Sequence, residues 1–107
     1  MDRAVFVYTT FPSLVEAEAA AHALVGQRLA ACANILPGMI SVYRWEGQLE
    51  RGAEVAMILK TRSSLADALT GMLRELHPFD VPAIAVIPLE AVDAPYLQWL
   101  FGETQET

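Results

Sequence analysis

Within Ser41–Glu50 two aromatics, Tyr43 and Trp45, alternate with polar residues up to Glu46-Gly47, which places both aromatics on one side. Period two predicts a strand with one buried face. Glu46-Gly47 breaks the pattern, and a glycine supplies the positive φ that a tight hairpin needs. The apolar run Val55-Ala56-Met57-Ile58-Leu59 follows, so the second arm of the hairpin is expected over Ala53–Thr61. Two large aromatics on an extended ribbon need cover. In a chain of 107 residues the expected cover is another subunit.

The same reading orders the rest of the chain. Ala4–Thr10 is short, apolar and β-branched, a strand that Pro12 stops. Ser13 and Glu16 form a capping box for a helix over 13–27, with Leu14, Ala17, Ala21 and Leu24 as its apolar stripe. Gly26 stands where a left-handed cap is expected. Ala33–Leu36 opens the next strand, and Pro37-Gly38 predicts a bulge before Met39–Trp45 resumes it. Ser63 or Ser64 is expected to cap a second helix, striped by Leu65, Leu69, Met72, Leu73 and Leu76. His77-Pro78 ends it, because a residue before proline avoids the α region. Ala83–Leu89 is the fourth strand, and Asp93 with Pro95 starts a short C-terminal helix bearing Tyr96, Leu97, Trp99 and Leu100.

The order β-α-β-β-α-β predicts an α+β, ferredoxin-like sandwich, an antiparallel sheet covered on one face by two helices, with a tail helix added. The whole chain, 1–107, reads as one domain. The second sheet face would then be bare, yet its strands are too apolar for water. A hydrophobic fraction of 54% at this length also favours a homo-oligomer.

Composition narrows the partners. The net charge is −6, and the seven basic residues are scattered, so no basic footprint for nucleic acid exists. No run of 18 apolar residues suggests a membrane span. Met1-Asp2-Arg3 runs into the first strand without a signal-peptide pattern, and Cys32 has no cysteine to pair with. A cytoplasmic location is therefore expected.

Chemistry is sparse. Cys32 has apolar sequence neighbours and reads as a small buried hydrophobe. His22 lies off the helix stripe and should face solvent. His77 either complements the C-terminal dipole of its helix or serves as a ligand or pocket residue at the helix–strand corner. Glu46, Glu50 and Glu54 read as a solvated turn that discourages edge pairing. Lys60-Thr61-Arg62 closes a strand, either bordering a pocket or snorkelling at the sheet edge. No nucleophile–base pair, P-loop or Cys-x-x-Cys occurs, so no enzyme is expected.

Several fragments in order, Leu29-Ala30-Ala31-Cys32, Ser41-x-Tyr43-x-Trp45-Glu46-Gly47-x-Leu49-Glu50, Met57-Ile58-Leu59-Lys60-Thr61, His77-Pro78-Phe79-x-x-Pro82 and Tyr96-Leu97-x-Trp99-Leu100, resemble the CutA divalent-cation tolerance family from about Val5 to Leu100. The resemblance implies a cytoplasmic homotrimer with a part in tolerance to copper and other divalent metals, and with intersubunit clefts in which Tyr43, Trp45, Lys60, Tyr96 and Trp99 would lie. It also implies a metal site at the positions of Thr9, His77 and Ala83, of which only His77 is a ligand type, with Asp80 nearby. No cofactor is required on this reading, and Cu(II) or another divalent cation would bind weakly. A PII-type trimeric regulator, binding a nucleotide or anion between subunits, is the alternative. It calls for a long flexible loop between the second and third strands, where this chain has Glu46-Gly47.

Overall fold

The computed structural model describes residues 2–105. Four strands form one antiparallel sheet: β1 Ala4–Phe11, β2 Cys32–Trp45, β3 Gln48–Arg62 and β4 Ile84–Pro88. Their order is β2-β3-β1-β4, with β1 hydrogen-bonded to both β3 and β4. Helices α1, Leu14–Gly26, and α2, Ala66–Leu76, cover one face. Helix α3, Ala94–Glu103, follows β4. This is the α+β, ferredoxin-like arrangement the element order predicted.

The core lies between the sheet and α1/α2. Val7 and Phe11 from β1 meet Val55, Met57 and Leu59 from β3, and Ala17, Ala20 and Leu24 of α1 pack onto them with Leu69 and Leu73 of α2. The alanines of α1 let the helix approach the sheet closely. Its first turn is fixed as expected: Glu16 N–H donates to Ser13 Oγ at 3.2 Å, and Ser13 Oγ donates to the Glu16 carboxylate at 2.8 Å. The left-handed residue after α1 is Arg28 (φ 62°), not Gly26. The helix itself ends at Gly26, and the chain enters the left-handed region two residues later at Arg28, whose guanidinium donates to Gly102 O at 2.6 Å.

The hairpin is longer than its apolar pattern. The strand β3 begins at Gln48 rather than Ala53, because Trp45 pairs directly with Gln48 across the two-residue turn. Glu46 and Gly47 both have positive φ, 50° and 79°, as a tight hairpin turn requires. Residues 48–52 escaped the sequence pattern because they stand clear of the core, where polar side chains cost nothing. Pro37-Gly38 is the predicted bulge. The register passes from Leu36↔Ala56 to Met39↔Glu54, so two residues oppose Val55, and Gly38 adopts φ 87°. The extra residue flips every side chain beyond it to the other face. It is what brings Tyr43 and Trp45 to the same sheet face as Lys60.

Two caps and one covered face differ from expectation. Ser63 and Ser64 lie in a 3-10 turn, Ser63–Leu65, and neither caps α2 with its side chain. Asp2 does that work from across the fold, accepting from Ser64 N–H at 2.9 Å and from Ser64 Oγ at 2.8 Å. Asp93 makes no side-chain cap for α3 either; Pro95 in the first turn pre-sets the helix instead. The second sheet face is not wholly bare. Leu100 of α3 is buried against Ala4 and Ala31, with Leu97, Tyr96 and Phe101 packed around it.

Candidate functional site

Two regions hold the residues singled out by sequence, and they lie at opposite ends of the hairpin. Tyr43 pairs with Glu50, whereas Lys60 pairs with Cys32. Ten residues of β3 separate these pairs, roughly 30 Å at about 3.3 Å per residue.

At the tip end, β1 stops at Phe11 opposite Val55, leaving residues 48–54 of β3 paired only to β2. The free arm and the segment after α2 enclose an open groove of about 960 Å³. Tyr43 and Trp45 form one wall, Pro78, Phe79 and Val81 the other, and Tyr8 and Thr10 lie at its floor. The walls are apolar and exposed: Trp45 keeps 53% of its surface open, Val42 64% and Val81 73%. A single chain leaves this much contiguous apolar surface in water only where something else covers it.

At the other end, Lys60 Nζ stands 5.3 Å from the Phe6 ring centre and 5.4 Å from that of Tyr96. Tyr96 stacks on Trp99 at 5.6 Å. Lys60 thus lies against Tyr96 of α3, which stacks on Trp99, and within one chain this group stands apart from Tyr43 and Trp45. Cys32 is half-buried here rather than a core residue, with Sγ 3.9 Å from the Tyr96 hydroxyl. It starts an edge strand and points to the α3 side, so its apolar sequence neighbours mislead. Arg62, at the strand end marked in the sequence, has partners the sequence does not show: it pairs with Asp2 at 3.1 Å and lies over the Phe101 ring, tying the chain start to α3.

His77 is buried, with 8% of its surface accessible. Its Nε2 lies 2.6 Å from Thr10 O, and its Nδ1 accepts the Phe79 N–H at 3.1 Å. The ring stacks on Phe11, centroids 4.4 Å apart. A carbonyl can only accept and a backbone N–H can only donate, so the ring is neutral with its proton on Nε2. Both nitrogens are engaged, and neither lone pair is open to a cation. Thr9 is fully buried, and its Oγ1 has no hydrogen-bond partner among the described residues. Ala83 offers no donor. The residues at the positions implied for a metal therefore do not fit one. Among the described residues no three of His, Cys, Asp and Glu come together as a metal centre would need. His22 is exposed, as expected.

Architecture and groove define the class: a ferredoxin-like α+β domain with a projecting aromatic arm and a two-residue hairpin turn, too short for the long loop of a PII-type regulator. The profile of the CutA1 divalent ion tolerance protein family matches residues 5–103, and the chain belongs to that family. It is 45% identical over 95% of its length to the divalent-cation tolerance protein CutA of Pyrococcus horikoshii, covering 99% of that protein. It is 41% identical to the chloroplastic CutA 1 of Oryza sativa, spanning only 58% of its length. The crystal structure of CutA1 from Ehrlichia chaffeensis superimposes with a TM-score of 0.94 at 34% identity, covering 99% of both chains.

Proposed function

We propose that this chain serves divalent-cation tolerance as a non-enzymatic homotrimer in the cytoplasm. The tolerance role comes from the relatives' names, and the assembly from the exposed arm. Tyr43, Trp45 and Val42 face water beside a groove whose other wall, Phe79 and Val81, is equally apolar. Burying about 25 cal/mol per Å² of such surface favours association once several side chains are covered together. Arm and groove lie on one chain, so each copy can both insert an arm and receive one, and a closed ring satisfies all copies equally.

The absence of catalysis is supported by what the candidate groups are doing. Both His77 nitrogens are held by backbone groups, and Cys32 has Tyr96 as its side-chain neighbour, so neither forms a nucleophile–base pair. The donor chemistry at Thr9, His77 and Ala83 argues for no resident metal at that place. The cytoplasmic reading rests on a lone half-buried thiol, and no helix among the described residues is long and apolar enough to cross a membrane.

Growth of a host lacking this chain, in graded copper, tests the role. Sensitivity restored by the wild-type chain, but not by Trp45→Ala, is the expected result. Unchanged copper tolerance in the deletion host would refute the proposal.

A further inference from the structure

We infer that His77 is a positioning residue that fixes the groove wall, with its ring locked as the neutral Nε2–H tautomer and so withheld from metals. The observation is a pair of hydrogen bonds of opposite sense. Nε2–H donates to Thr10 O, a carbonyl of β1, at 2.6 Å. On the other side Nδ1 accepts the N–H of Phe79, two residues along its own chain, at 3.1 Å. One ring therefore bridges the end of α2 to the sheet and sets the backbone at Phe79.

The ring is also clamped by its neighbours. It stacks on Phe11 at 4.4 Å and meets Phe79 at 5.1 Å. Only 8% of it is accessible. Phe79 is the wall residue that faces the arm across the groove, so the tautomer of His77 determines where that wall stands. A cation at Nδ1 would strip the Phe79 N–H of its acceptor, and one at Nε2 would have to replace the proton held by Thr10 O. At the other two implied positions Thr9 is buried and Ala83 carries no donor, so neither supplies a second ligand to offset either loss. The inference rests on the single chain and holds whether or not copies assemble.

Nitrogen-15 NMR of the histidine rings in the wild-type protein tests it directly. The expected spectrum for His77 shows Nε2 protonated and Nδ1 bare, unchanged by one equivalent of zinc chloride. Amide exchange at Phe79 supplies the second readout. His77→Asn places an amide oxygen where Nδ1 stood and should keep the Phe79 N–H protected. His77→Ala should speed its exchange by at least tenfold. An Nδ1–H tautomer, a zinc-induced shift of the His77 nitrogens, or equal protection of Phe79 in wild type and His77→Ala would each overturn the inference.

Discussion

Two buried threonines make opposite predictions for the same substitution. Thr9 on β1 and Thr61 on β3 are both fully buried on the helix-covered sheet face. Thr61 Oγ1 donates to Leu29 O at 2.7 Å, while Thr9 Oγ1 finds no partner among the described residues. Valine keeps the shape of threonine and replaces the hydroxyl with a methyl group. An unpartnered buried hydroxyl costs about 1–3 kcal/mol, so Thr9→Val should stabilise the fold by about 1–2 kcal/mol. Thr61→Val loses a hydrogen bond and strips the Leu29 carbonyl of its donor, for a loss of about 1–2 kcal/mol. The variants should therefore differ by roughly 2–4 kcal/mol, larger than the extrapolation error of denaturant unfolding. Urea midpoints at one fixed chain concentration give the comparison, since assembly would make stability depend on concentration. If Thr9→Val destabilises as much as Thr61→Val, the Thr9 hydroxyl has a partner and the reasoning about this site fails.

Other outcomes follow from single contacts. Gly47→Ala forces a side chain onto φ 79° and should lower thermal stability by about 1 kcal/mol, measured by calorimetry. Burial acts to raise the Asp2 carboxyl, but hydrogen bonds from the Ser64 side chain and backbone, Arg62 and Ser63 outweigh it and hold it below its ordinary 3.8. A depressed folded value gives stability that is present above the unfolded value and lost as pH falls through it, so the advantage of wild type over Asp2→Asn should shrink below about pH 4 in urea melts. Cys32 is sheltered by Tyr96, so Tyr96→Ala should speed its labelling by a thiol reagent, followed by mass spectrometry.

The parts of this fold that sequence shows are the local ones. Ser13 and Glu16 stand three residues apart, and their capping box is read without any tertiary information. Pro37-Gly38 announces a bulge because no regular strand tolerates that pair, and Gly47 announces its turn for the same reason. Long-range partners are silent in sequence. Asp2 caps a helix turn 62 residues away, where the sequence predicts Ser63 or Ser64 as the cap. His77 meets Thr10 across 67 residues, so its commitment to the backbone emerges only in three dimensions. Residues 48–52 of β3 carry no strand pattern in the sequence because exposed strands need no apolar alternation. Within one chain the hairpin's length holds Tyr43 and Trp45 apart from Lys60, Tyr96 and Trp99, a separation that alternation along a strand does not show.

Sedimentation equilibrium of the wild-type chain and of Trp45→Ala, at micromolar concentration, tests assembly through the arm most directly. Wild type should sediment at three times 11.7 kDa. Trp45→Ala should shift toward smaller species, since an aromatic at an interface core contributes about 2 kcal/mol or more. A wild-type mass of one chain across that concentration range, or a Trp45→Ala trimer as tight as wild type, would contradict the account.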